Sequence, residues 1–320
     1  MIEINRTLGA TGIPTTAIAL GLAALGRPGY LNLGHGGDFD ERSVQAMAER
    51  THEVLDAAYA AGVRHFDAAR SYGRAEEFLG QWLRSRSIEP GAVTISSKWG
   101  YEYTADWQVD ADPPEVKDLS ADTLRRQLAE TREQLGAHLT LYQIHSATAA
   151  SGVLEDPEVR ALLAELRSRG VAVGLSATGT EQPDTIRRAI EVGGFDTVQA
   201  TFNLLERSAG DALHAAHDAG MGVIIKEALA NGRLTARGGI EPLTQAARRL
   251  GTTEDALALA GVLARPWVDA ALSGAATVEQ LDSNLGALAI EWDDALEEEL
   301  SAVVERPERY WDTRSALTWT

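Results

Sequence analysis

The chain has 320 residues, no cysteine and a net charge of −18 from 29 basic and 47 acidic residues. Without thiols it can form no disulfide, thiolate nucleophile or cysteine-ligated metal site, which suits a reducing cytoplasm. The negative charge disfavours nucleic acid and anionic membranes as partners, and no stretch approaches the roughly 20 apolar residues of a membrane span.

Residues 1–6 lack the basic start and apolar run of a signal peptide, so a cytoplasmic location is expected. The basic residues are almost all arginine; only Lys98, Lys117 and Lys226 are lysine. Where arginine is so strongly preferred, a retained lysine is a candidate for work needing a compact, tunable ammonium.

Residues 4–8 and 14–18 flank Gly9-Ala10-Thr11-Gly12, the pattern of a β-hairpin. Short, mostly apolar runs then predict strands over 17–21, 64–67, 93–98, 140–145, 171–176, 197–203, 222–226 and 268–273. Helical patterns lie between them, at 43–61, 74–86, 120–136, 157–169, 181–191, 207–219, 241–264 (broken at Gly251) and 277–289. Ser120 with Thr123 starts the third of these helices and Gly136 ends it. Asp156-Pro157 and Gln182-Pro183 mark two other starts. Eight strands with eight helical crossovers imply an α/β fold, a (β/α)8 TIM barrel. A single domain over residues 1–320 is expected, with the hairpin closing the barrel bottom.

Three regions exceed normal connection length. Residues 27–42 are Gly-rich, residues 99–119 carry Tyr101, Tyr103 and Trp107, and the tail from Glu305 carries Tyr310, Trp311 and Trp319. Loops at the C-terminal face of a barrel build its active site, so these aromatics either line an apolar substrate pocket or pack onto outer helices.

Four polar residues fall at or just beyond predicted strand ends. They are Asp67, Tyr72 five residues later, Lys98 and His145. An ammonium at the end of an apolar strand needs an anion nearby, and Asp67 is the candidate. Reducing a carbonyl needs a hydride and then a proton on the developing alkoxide. Tyr72 is the candidate proton donor; an ordinary phenol has a pKa near 10, and Lys98 beside it is expected to lower that value. Asp67 would hold Lys98, and His145 would orient the carbonyl oxygen. No side chain donates a hydride, so a cofactor must supply it.

Residues 62–73, Gly-Val-Arg-His-Phe-Asp-Ala-Ala-Arg-Ser-Tyr-Gly, with Glu76, Glu77 and Leu79-Gly80, resemble the aldo-keto reductase signature. Ser97-Lys98 resembles the lysine strand of that family, and Tyr142-Gln143-Ile144-His145 its histidine strand. The likeness runs from Arg6 to Asn284. It implies a barrel that binds a nicotinamide cofactor without a Rossmann domain, with Tyr72 as general acid and base, Lys98 and Asp67 as its tuning pair and His145 as carbonyl orienter. Ser176 and Gln199 match the residues that hold the carboxamide, although the Asn that usually follows the serine is Ala177. Lys226 stands where an aromatic usually stacks on nicotinamide, and it either pairs with Glu227 or approaches a phosphate. The segment after it contributes Leu229, Asn231 and Arg233. Gly274, Ala275 and Ala276, with Gln280 and Asn284 on the following helix, resemble the adenosine-phosphate site. No cation stands among those small residues, so Arg233 and Lys226 are the cations left for a 2′-phosphate. NADPH is the family expectation, with NADH also binding.

The leading reading is an NAD(P)H-dependent reductase of a small-molecule aldehyde or ketone. The same site run backwards is an NAD(P)+-dependent sugar dehydrogenase. A nucleotide-sensing regulatory subunit with little turnover is a third reading. The seven histidines show no paired ligand spacing, which disfavours a metal hydrolase.

Overall fold

The computed structural model describes residues 6–29, 33, 41–109 and 111–318. Eight parallel strands close into a barrel. They are β1 (Ile18–Gly21), β2 (His65–Asp67), β3 (Thr94–Trp99), β4 (Leu139–Ala147), β5 (Ala172–Ala177), β6 (Thr197–Thr201), β7 (Gly222–Lys226) and β8 (Ala270–Ser273). Each pairs with the next in sequence, and β8 closes on β1. This is the (β/α)8 barrel that the alternation of elements predicts.

The helices are α1 (Val44–Ala60), α2 (Ala75–Ser85), α3 (Ala121–Leu135), α4 (Pro157–Ser168), α5 (Gln182–Val192), α6 (Gly210–Asp218), α7 (Glu241–Leu250), α8 (Glu254–Leu263) and α9 (Val278–Leu285), followed by α10 (Asp294–Ser301) and α11 (Pro307–Ala316). The caps act as their residue types require. Ser120 Oγ accepts from the Thr123 amide at 3.2 Å to start α3, and Asp156 accepts at the start of α4. Gly251, in the left-handed region at φ 67°, separates α7 from α8.

Successive strand side chains point to opposite faces. One set, with Phe66, Ile95, Tyr142, Leu175 and Val198, joins helix residues such as Leu55, Trp82 and Leu124 in the main core. The other set faces the barrel axis and is polar toward its C-terminal mouth, with Asp67, Lys98, Gln143 and Gln199 all buried.

The hairpin pairs Arg6–Thr7 with Pro14–Thr15; residues 4 and 5 of the expected hairpin lie outside the described residues. Leu8 packs with Leu141 and Ile224 inside the barrel. The Gly9 amide donates to Asp269 and the Ala10 amide to the Gly220 carbonyl, at 3.0 and 2.9 Å. These partners stand at the N-terminal ends of their strands, so the hairpin closes the bottom.

Three departures from the sequence reading matter for the site. β4 continues two residues past His145, through a register shift between Ile144 and Ala147. Part of 99–119 is ordered as an antiparallel pair, Tyr101–Tyr103 with Glu115–Lys117. The tail is helical rather than a loop, since Pro307 begins α11. Most of 30–40, in the loop after β1, lies outside the described residues, as does Trp319. Among the described residues no helix is long and apolar enough to cross a membrane.

Candidate active site

Asp67 and Lys98 meet because β2 and β3 are adjacent and both residues face the axis. Lys98 Nζ donates to Asp67 Oδ2, to the Ala68 carbonyl at 3.0 Å and to Tyr72 Oη at 3.5 Å. Neither member of the ion pair reaches solvent, so each offsets the desolvation of the other. Asp67 Oδ1 also accepts from Ser96 Oγ at 2.6 Å and from Gln199 Nε2, across the barrel, at 3.4 Å.

The acid is braced from below by residues the sequence reading did not single out. His65 lies between Thr15 Oγ1 and Ser96 Oγ, 3.0 Å from each. Ser96 gives its proton to Asp67, so His65 Nε2 must be the donor to Ser96. Its Nδ1 then accepts from Thr15. Burial pushes the imidazole down to about 4, with Lys98 lowering it further and Asp67 opposing, which keeps the ring neutral. Thr15 belongs to the bottom hairpin. A hydrogen-bonded line therefore runs from the hairpin to Lys98.

Tyr72 sits on the turn between β2 and α2, and that turn is clamped. The Arg70 amide donates to the Lys98 carbonyl at 3.0 Å, and Arg27 Nη1 donates to the Ser71 carbonyl at 3.0 Å. Arg70 also pairs with Glu76 at 2.6 Å, and Glu76 accepts from Ser97 and Thr131. Gly26 lies against the turn so closely that a Cβ there would stand 2.2 Å from the Tyr72 carbonyl. Glycine is required at that contact by space alone.

His145 lies in the irregular stretch of β4. The next residue, Ser146, has φ 51°, and its amide donates to Ser176 Oγ at 2.8 Å. A bulge of this kind re-aims a side chain at the end of a strand. The His145 ring stands edge-on to Tyr72 at 5.6 Å and to Tyr101 at 5.0 Å, with Ser71 Oγ 3.4 Å from Nδ1. Burial and four nearby cations, Lys98, Lys226, Lys117 and Arg27, hold it well below the usual histidine range. It is a neutral imidazole at neutral pH.

The Tyr72 phenol is raised, against the expectation that Lys98 lowers it. Burial, then Asp67, Glu115 and Glu227, push the phenol well above 10, and Arg27 opposes them. Lys98 is neutralised by its own aspartate, so the phenol feels burial and surrounding acids more than the ammonium.

The remaining candidates occupy the same face. Ser176 and Gln199 are register partners on β5 and β6. The Gln199 side-chain carbonyl is buried without a hydrogen-bond partner, an acceptor that a carboxamide N–H would satisfy. Lys226 bonds to Thr201 Oγ1 at 2.9 Å and pairs with Glu227 at 3.8 Å, the first of its two expected arrangements. Burial pulls its ammonium down to about 8. Leu229 packs into the core clusters, and Asn231, at φ 56°, shapes the following turn. Arg233 is not an available cation: Glu305 holds it in a two-pronged pair at 3.0 and 2.7 Å, beneath Tyr310. After β8, Gly274 faces open space. The Ala275 amide donates to Ser273 Oγ and the Ala276 amide to Gln280 Oε1. Asn284 also donates to Ser273 Oγ, at 2.8 Å. Two of the backbone donors expected for phosphate are thus held by side chains.

Of the loop aromatics, Tyr101 reaches the site against His145. Tyr103 stands one layer out, beneath Arg27 at 5.5 Å, and Trp107 packs on Phe78 of α2. Tyr310 is buried and bonded to Asn203, behind the C-terminal ends of β6 and β7.

The chain is 27% identical to the uncharacterized oxidoreductase YrpG of Bacillus subtilis (strain 168), with 98% of each chain covered. It is 26% identical to the NADH-specific methylglyoxal reductase of Escherichia coli (strain K12), covering 93% of this chain and 98% of the relative. Aldo-keto reductase AKR11C1 of Bacillus halodurans, at 17% identity, shares the fold with a TM-score of 0.72 over 94% of this chain and 96% of its own. The model of the aldo/keto reductase family matches residues 17–305. With that match over most of its length, the chain belongs to the aldo/keto reductase family and is an oxidoreductase.

Proposed function

We propose that the protein reduces an aldehyde or ketone to an alcohol, with Tyr72 as proton donor. The observation that carries this reading is the joining of Tyr72, Lys98, Asp67 and His145 at one barrel mouth, with Tyr72 Oη 3.5 Å from Lys98 Nζ and the His145 ring 5.6 Å from that of Tyr72. A bound nicotinamide supplies the hydride. Neutral His145, with Ser71 at Nδ1, presents Nε2–H to the carbonyl oxygen and fixes its position. The raised pKa of Tyr72 keeps a proton on the phenol throughout the neutral range. The developing alkoxide takes that proton and leaves a phenolate. Lys98 then donates to the phenolate, and Asp67 holds Lys98 in place for it.

Gln199, through its unpaired carbonyl, and Ser176 are the residues to hold the carboxamide. Gly274, Ala275, Ala276, Gln280 and Asn284 are placed for the phosphate end, once Gln280 turns from the Ala276 amide. With Arg233 held by Glu305, NADPH has no ready side-chain clamp for its 2′-phosphate among the described residues. Both NADPH and NADH are proposed to bind, consistent with an NADH-specific relative. The location proposed is cytoplasmic.

The test is a titration with both cofactors, followed by a carbonyl screen read at the nicotinamide absorbance. Tyr72→Phe should retain cofactor binding and lose about 10²–10⁴-fold in turnover. A Tyr72→Phe enzyme with parent turnover in a chemistry-limited assay defeats the assignment.

A further inference from the structure

The three lysines of this chain come from separate elements, β3, the strand after Tyr103 and the end of β7, yet all three lie close enough to His145 to oppose its protonation. In a chain of net charge −18, that is a local concentration of positive charge.

Their partners differ. Lys98 is held by Asp67, and Lys226 by Thr201 and Glu227. Arg27, the fourth cation, pairs with Glu115 at 3.0 Å. Lys117 has no carboxylate partner among the described residues. It is solvent-exposed as a residue, but its ammonium folds back to donate to the Ser146 carbonyl at 2.7 Å and lies 5.7 Å from the centre of the Tyr101 ring. That position desolvates it enough to lower its pKa, with no acid acting the other way. A partly desolvated ammonium without a counter-ion is a receptor for an anion.

Tyr101 connects this ammonium to the reacting centre. It pairs in register with Lys117, and its ring stands 5.0 Å from His145 and 5.7 Å from Lys117 Nζ. A substrate whose carbonyl oxygen lies at Tyr72 and His145 and whose body runs along Tyr101 ends beside Lys117.

We propose that the substrate is a carbonyl compound carrying an anionic group, a carboxylate in the simplest case, and that Lys117 binds that group. This inference rests on the reductase reading above. Lys117 is a specificity residue and takes no part in proton transfer.

The experiment compares 4-formylbenzoate with its neutral isostere 4-formylbenzamide, using the full chain and NADPH or NADH. The parent should favour the carboxylate by about tenfold or more in kcat/KM, the scale of one charge-assisted hydrogen bond. Lys117→Met should remove that preference through KM with little change in kcat, and Lys117→Arg should restore it. Cofactor dissociation constants, measured in parallel, separate substrate from cofactor as the source of the anion. Equal kcat/KM for the two aldehydes in the parent overturns the inference, and so does a preference that survives Lys117→Met. A Lys117→Met protein that binds cofactor more weakly but discriminates as before reassigns the ammonium to the cofactor and also overturns it. If neither aldehyde is turned over, the carbonyl screen decides the reductase reading, and benzoate binding by calorimetry decides the anion site alone. Binding weakened about tenfold in Lys117→Met supports that site, and unchanged or absent binding removes it.

Discussion

Two buried groups at the site make residue-level predictions. Lys98 and Asp67 are both out of reach of solvent and compensate each other. Lys98→Met leaves Asp67 with Ser96 and the Gln199 amide but no counter-ion. Breaking one partner of a buried pair costs about 3–5 kcal/mol, so the urea midpoint of Lys98→Met should fall well below that of the parent. An unchanged midpoint would mean the pair is hydrated in solution. His65 is the second group. Its folded pKa, about 4, lies below the ordinary 6.5, so the unfolded chain binds the extra proton. Stability from this residue is complete above 6.5 and is lost as the pH falls toward 4. The loss approaches about 3 kcal/mol, and His145 acts in the same direction. Urea titrations at several pH values between 7 and 4.5 should show this slope, and His65→Gln should flatten it. A slope identical in both proteins would show that His65 titrates normally.

At the scale of elements, the bottom hairpin is tied to the candidate site as well as to the fold. It supplies Leu8 to the barrel floor and Thr15 to His65. Gly9 is the residue that lets it dock: φ is 50°, and a Cβ would stand 2.5 Å from the Gly220 carbonyl oxygen. The atoms it would meet all belong to the backbone of residues 220–222, which has no flexible end to yield. Gly9→Ala should therefore cost more than the roughly 1 kcal/mol of an ordinary φ penalty. The thermal midpoint should fall by several degrees, and amide exchange should speed up first at Leu8 and Ala10. A midpoint equal to that of the parent would show that the hairpin docks loosely. The tail works at the other end of the barrel. Glu305 holds Arg233, Tyr310 bonds to Asn203, and Arg314 pairs with Glu227 beside Lys226. Those three contacts turn the tail into a wall behind β7.

For the whole molecule, charge is the dominant global term. A net charge of −18 repels itself at low ionic strength. Many surface pairs oppose this, such as Arg249–Glu299 and Arg86–Asp56, but exposed pairs each contribute little. Adding about 0.15 M salt shortens the screening length to about 8 Å, and the thermal midpoint should rise. A midpoint that falls with salt would show that the surface pairs outweigh the net repulsion. The mouth of the barrel departs from this background, because Lys98, Lys117, Lys226 and Arg27 all act on His145. The folded chain thus combines an acidic exterior with a locally cationic site.

The sequence alone determined the barrel and the order of its parts. Apolar runs at strand spacing, separated by helical periods, are local properties, and parallel strands that follow one another in sequence lie side by side. That is why Asp67, Tyr72 and Lys98 read as one group in the sequence, and why the caps at Ser120 and Asp156 are legible there. Only the tertiary structure decided what those groups meet. Arg233 reads as an available cation until Glu305, 72 residues away, is seen to hold it. Tyr72 reads as a phenol lowered by Lys98 until burial and the surrounding acids are seen to raise it. Tyr101 and Lys117 read as loop residues until their strands pair and bring them to His145. Ion pairing, desolvation and register between distant segments depend on which surfaces pack together, and no periodicity in the chain records that.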